Sequence, residues 1–291
     1  MINHILVCVK QILDTNHDLV ISGNQIVQSG EERPIALTNP SDLNALEKAI
    51  ELKKQFGAQV IVISLGNAQV SNSLKYCLAR GADQAIHLQT PEDFESDSWS
   101  TAFNLSKMIK SMPFDLILCG EKNINSNSGL VGPLLAGMLN IPQITSVIEI
   151  HPQIKTKTIQ ARRLLEKGDR VLLEGKLPLM ITISPMFIQT GYVAVNRLRK
   201  ISDDEIIRHQ VSSKALLENK KVSSKSVSFP KPRVKKGKKV DTKLSASDRM
   251  KMMMGTSKKK EAPSKIFIGT PEEAANRLMD FLHENDILDL K

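Results

Sequence analysis

The densest run of groups able to hold a ligand is Gly120, Glu121, Lys122, Asn123, Ile124, Asn125, Ser126, Asn127, Ser128 and Gly129. It follows the apolar run Leu116 to Cys119 and precedes a helix expected to begin near Leu130. Amides, hydroxyls, one lysine and one glutamate between glycines can hold a ligand by hydrogen bonds. Ligands of open α/β sheets lie at the carboxyl ends of strands, and a helix N-terminus presents unpaired N–H groups to a phosphate. A nucleotide phosphate fits that arrangement. Asparagine and serine are equally the residues of turns and helix caps, so residue types alone leave both uses open.

Nothing elsewhere adds reactive chemistry. No Walker-type phosphate loop or glycine-spaced dinucleotide fingerprint follows the first strand, where Lys10, Gln11, Ile12, Leu13 and Asp14 stand. This makes ordinary kinases and nicotinamide dehydrogenases improbable. Cys8, Cys77 and Cys119 are far apart inside apolar runs, which predicts reduced core residues. The six histidines are scattered with no pair at helical spacing, so a metal is not expected. No triad or paired-carboxylate pattern points to acid–base or nucleophilic catalysis.

The elements that position the loop are legible from periodicity. Ile5 to Val9, Val60 to Leu65, Ala85 to Leu88 and Leu116 to Cys119 read as strands buried on both faces of a parallel sheet. Between them, Leu43, Leu46 and Ile50 recur at helical spacing behind Asn39, Pro40 and Ser41, with Asn39 or Ser41 as cap. Ser71 to Ala79, stopped by Gly81, and Ser98 to Ile109 are further helices. The alternation predicts an α/β fold: a doubly wound, mainly parallel sheet between two helix layers. Beyond Ile141 come closely spaced strands, Thr145 to Ile150, Thr158 to Leu164, Arg170 to Leu173 and Leu179 to Ile183, with a hairpin turn at Glu166 to Asp169.

The net charge of +9 is not spread over the fold. Lys214 to Lys260 holds sixteen Lys or Arg against three Asp or Glu, a local +13 that leaves −4 for the rest. Residues 213–263 therefore read as a basic, Lys/Ser-rich arm after a core of residues 1–212. Met250, Met252, Met253 and Met254 inside it suit a contact surface. Thr270, Pro271 and Glu273 open a terminal helix in residues 264–291, with a capping box and an apolar face of Ala274, Leu278, Phe281 and Leu282. Aromatics are only 4 % of the chain, so a nucleic-acid partner is not expected despite the lysines. With no long apolar run and no cleavage pattern, a cytoplasmic location is expected.

ILVCVKQILDTN, LTNPSDLNALEKAIELKKQFG, ISLGNAQ, LARGADQAIHL and DLILCGEKNINSNSGLVGP, in this order, resemble the landmark segments of electron transfer flavoprotein beta subunits. KLPLMITI and the capped terminal helix extend the resemblance, which covers most of residues 1–200 and resumes around 264–285. It implies a non-catalytic electron carrier, paired with an alpha subunit that carries most of an FAD and is clasped by the C-terminal arm. This subunit would hold AMP or a second FAD. Electrons would come from an acyl-CoA or other flavin dehydrogenase and pass to a membrane quinone oxidoreductase or other acceptor. By position, the nucleotide would touch Cys8, Asn39, Pro40, Ser41, Asp42 and Leu65. It would also touch the segment Asn123, Ile124, Asn125, Ser126, Asn127, Ser128, Gly129, Leu130, Val131, Gly132, Pro133 and Leu134. A stand-alone adenine-nucleotide-binding α/β protein is the alternative.

The chain departs from the family in two places. Acidic residues are usual where Asn125 and Asn127 stand, and glutamine where Leu130 stands, so charge and one polar group are lost. The loop that docks on dehydrogenases keeps Tyr192, Arg197, Arg199 and Lys200, while its anchor, often leucine, is Val195. That change implies an altered choice of partner.

Overall fold

The computed structural model describes residues 2–14, 19–22, 25–28, 36–91, 97–153, 155–186, 191–212, 216, 221, 247, 250 and 269–284. The chain forms two compact units, Met1–Phe229 and Pro230–Lys291. The basic arm expected at 213–263, with Met252, Met253 and Met254, lies almost entirely outside the described residues.

The first unit is built on a nine-stranded sheet. Its strands are β1 (His4–Cys8), β6 (Gln59–Gly66), β7 (Gln84–Gln89), β8 (Leu116–Gly120), β9 (Gln143–Gln153), β10 (Thr158–Leu164), β11 (Arg170–Lys176), β12 (Leu179–Ile183) and β13 (Ile206–Gln210). Their order is β11-β10-β9-β12-β8-β1-β6-β7-β13. From β9 across to β13 all neighbours are parallel, and β10 and β11 add an antiparallel edge. Two small pairs lie apart, β2 (Gln11–Leu13) with β5 (Ala36–Thr38) and β3 (Leu19–Ser22) with β4 (Gln25–Gln28).

The unbroken apolar strands owe their composition to burial on both faces. In β1, Ile5 and Val7 face one core while Leu6 and Cys8 face the other. β6 and β8 alternate in the same way. Helices α1 (Pro40–Phe56) and α2 (Val70–Arg80) cover the first face, and α3 (Ser98–Ile109) and α4 (Val131–Leu139) the second. This is the doubly wound, three-layer α/β arrangement the periodicity predicts. The edge strand β13 was not legible, because only Ile206 of its five residues is buried.

Helix termini hold one correction. Asn39 does cap α1 by position, with Pro40 in the first turn, but its side chain makes no capping hydrogen bond, and Ser41 is buried inside the helix. The Asn39 amide instead donates to the Lys122 carbonyl at 3.2 Å. The Oδ1 that a cap would use as acceptor has no hydrogen-bond partner among the described residues. The turn at Glu166–Gly168 joins β10 to β11 as expected, with Lys167 and Gly168 in the left-handed region.

In the second unit, the described helix is α6 (Pro271–Glu284), numbered after α5 (Val195–Lys200) of the first unit. Its capping box closes as read from the sequence. The Thr270 N–H donates to Glu273 Oε2 at 3.0 Å, and the Glu273 N–H to Thr270 Oγ1 at 3.4 Å. Leu278 and Phe281 are exposed.

Candidate functional site

The chain runs from β1 through α1 to β6 and β7, then crosses back to β8 on the other side of β1. The winding direction therefore reverses between β1 and β8. A crevice opens beyond the carboxyl ends of strands at such a point, because the following connections leave to opposite faces. A cavity of about 640 Å³ lies there, within the range of small-molecule sites.

Of the residues expected to touch a ligand, Cys8, Asn39, Asp42, Leu65, Asn123, Ser126, Ser128, Gly129, Leu130, Val131, Gly132 and Leu134 line this cavity. Pro40, Ser41, Ile124, Asn125, Asn127 and Pro133 do not line it. Asn125 and Asn127 are exposed on the outer side of the loop. These two asparagines thus stand away from the cavity wall. Sequence reasoning missed Lys10, Asp97, Ser98, Trp99, Thr101 and Leu105. Lys10 follows β1 by two residues and lines the same opening, and that position was a usable signal. Trp99 was hidden inside the apolar periodicity of α3.

The loop is held by its own polar groups. Asn123 Oδ1 accepts the Ser126 N–H at 2.8 Å, and Ser126 Oγ reaches Ser128 Oγ at 3.3 Å. Ser128 Oγ is 3.1 Å from Ser98 Oγ, at the start of α3. Asn127 and Gly129 adopt left-handed backbone, which reverses the chain into α4. The turn-forming use of these residues and the lining of a cavity are therefore both present.

Two buried groups give the cavity its electrostatic character. Asp42, in the first turn of α1, accepts the Gly120 N–H through Oδ1 at 2.8 Å and the Lys10 N–H through Oδ2 at 2.9 Å. Burial pushes its carboxyl up to about 6, against the opposing pull of these hydrogen bonds, Asn39 and the Lys10 charge. Asn39 is 1 % exposed, and its Oδ1 has no hydrogen-bond partner among the described residues. A buried acceptor left open costs free energy unless something donates to it. Burial, first, and the Asp42 charge push the Cys8 thiol up to about 12, and Cys119 is also raised. Neither cysteine is a nucleophile in this setting.

The docking residues lie elsewhere in the same unit. Tyr192 is 87 % exposed, and Val195, Arg197, Arg199 and Lys200 are exposed on α5. The segment is tethered at Gly191, whose carbonyl accepts from Arg80 Nη1 at 2.8 Å. No group of residues among those described could hold a metal ion, and no described helix is long and apolar enough to cross a membrane.

The family model of the electron transfer flavoprotein domain matches residues 30–200. The chain is 33 % identical to electron transfer flavoprotein subunit beta of Clostridium acetobutylicum over 205 residues, which is 70 % of this chain and 76 % of that protein. It is 32 % identical to the subunit of the same name from Bacillus subtilis, over 68 % of this chain and 75 % of that one. The caffeyl-CoA reductase-Etf complex subunit CarD of Acetobacterium woodii is 35 % identical over 66 % of this chain and 72 % of its own length.

Proposed function

The chain belongs to the electron transfer flavoprotein family, and on that footing we propose that it is the beta subunit of a heterodimer. An alpha subunit would carry most of the contacts to FAD, and this chain would hold AMP or a second FAD in the cavity between β1 and β8. Bound flavin would supply the electron chemistry. The protein's share is to fix the position of the nucleotides relative to donor and acceptor.

The observation that carries this reading is the cavity at the reversal of the winding, with the open acceptor of Asn39 on its wall. An adenine amino group or a ribose hydroxyl would donate to that oxygen. Asn123 and the Ser126 and Ser128 hydroxyls, at the start of α4, would meet phosphate or ribose. The exposed segment Tyr192 to Lys200 would dock on an acyl-CoA or other flavin dehydrogenase, with electrons leaving to a quinone-linked or other acceptor. Relatives named as subunits of reductase complexes support assembly with a flavoprotein partner.

The test is to co-express the chain with an alpha subunit, purify the complex and identify the nucleotides released on denaturation. One flavin with AMP, or two flavins, supports the reading and chooses the nucleotide. A chain that remains monomeric and binds AMP without flavin overturns it in favour of a stand-alone nucleotide-binding protein.

A further inference from the structure

Trp99 is the chain's single tryptophan, yet it is not in either core. It stands in the first turn of α3, 38 % exposed, on the wall of the cavity. Thr101 and Leu105 continue that wall along α3, and Leu130 and Leu134 line the cavity from α4, the helix packed against it. Lys10, Asn39, Asp42 and Asn123 supply polar lining from other elements. The cavity therefore offers both apolar and polar contacts, as a ligand with a flat ring and a phosphate requires.

The backbone that carries the indole is fixed by its own hydrogen bonds. Asp97 Oδ1 accepts the Ser100 N–H at 2.7 Å and fixes the start of α3. Ser98 ties that same turn to Ser128 in the loop. A rigid aromatic with two side-chain torsions loses little freedom on binding. Leu130 is 52 % exposed on the same wall.

Resting on the nucleotide reading above, we infer that Trp99 stacks on the heteroaromatic ring of the bound nucleotide, with Leu130 extending the apolar wall. Face contact of this kind tolerates any planar base.

The experiment uses the heterodimer freed of nucleotide and reloaded with one FAD on the alpha subunit, with AMP and further FAD as probes in equilibrium dialysis. Trp99→Ala should weaken binding by about ten- to hundredfold, the usual range for loss of an aromatic stack. Trp99→Phe should stay within about threefold of the parent, whereas Trp99→Leu, which keeps bulk without a ring, should resemble the alanine variant. Leu and Phe variants bound equally well would overturn the stacking role and leave the nucleotide site standing. A parent complex that takes up neither AMP nor further FAD would sink both. If Trp99 instead contacts the alpha subunit, the substitutions will lower the yield of heterodimer on size exclusion and leave dialysis unchanged, which also overturns the inference.

Discussion

Asp42 and Gly120 are seventy-eight residues apart in sequence, yet the Asp42 carboxylate accepts the Gly120 N–H at 2.8 Å and so pins α1 to the end of β8. The approach is close enough that a Cβ on Gly120 would lie 2.6 Å from Ser41 Cβ. One buried carboxyl thereby joins the two strands that border the cavity, since its other oxygen holds Lys10 at the end of β1.

That carboxyl sets a pH dependence. Its value is raised from 3.8 to about 6 in the folded chain, so the native state keeps a proton that the unfolded chain releases near pH 4. The associated stability is present below pH 4 and is lost as pH rises through 6, a difference of at most about 3 kcal/mol. Unfolding by urea at pH 4 and pH 6.5 should show the parent losing this amount relative to Asp42→Asn. The variant carries a constant offset of about 1–3 kcal/mol for the acceptor it removes. A parent–variant difference that does not change with pH would refute the assignment.

Gly132 and Gly137 lie in the same helix and should respond oppositely to alanine. A Cβ at Gly132 would stand 2.6 Å from Thr182 Cγ2 and 3.1 Å from Cys119 Sγ, whereas one at Gly137 meets nothing within 4 Å. Gly132→Ala should cost about 1–3 kcal/mol by forcing α4 away from β8 and β12. Gly137→Ala should add about 0.5–1 kcal/mol of helix stability. Denaturant midpoints of the two variants decide the matter.

Arg80 connects three segments. Its guanidinium pairs with Glu47 on α1, and its Nη1 donates to the Gly191 carbonyl at 2.8 Å and to the Tyr76 hydroxyl at 3.1 Å. A lysine cannot serve such a fork, so Arg80→Lys and Arg80→Met should each destabilise by about 1–3 kcal/mol. The docking segment should then open locally. Trypsin cleavage at Arg197 and Arg199 should accelerate well beyond any change in global stability, and unchanged cleavage would show that Arg80 does not hold the segment.

Val195 is the expected anchor of partner docking and is 49 % exposed. On the docking proposed above, Val195→Asp in the purified heterodimer should lower electron uptake from a flavin dehydrogenase that reduces the parent by about tenfold or more, as loss of an interface anchor does. Flavin content should not change. Equal loss of flavin would mean that the substitution acts on the complex and not on docking.

The layered sheet was readable because strands buried on both faces must be apolar at every position, as Ile5, Leu6 and Val7 are. Helix bounds followed from Pro40, Gly81 and the Thr270 box. The site was only partly readable. Asn39 is a cap by its type, but its amide finds a carbonyl eighty-three residues away, which no local pattern encodes. Trp99 fills an apolar slot in the α3 repeat, so its position on a cavity wall depends on the α3–α4 packing, which local periodicity does not report. Asn125 and Asn127 were expected at the site from the resemblance and their residue type, whereas they do not line the cavity, and the left-handed turn at Asn127 accompanies their outward placement.

The hydroxyls of Ser98, Ser128 and Ser126 form a line from α3 into the loop and end at the Asn123 amide. Each hydroxyl can rotate, giving a proton at one moment and a lone pair at the next. Such a line has no fixed polarity. Turning the rotors in concert would let the same wall meet an anionic oxygen or a neutral sugar hydroxyl with no movement of the backbone. The loop before α4 can in this way adjust its hydrogen-bonding sense while its backbone stays fixed.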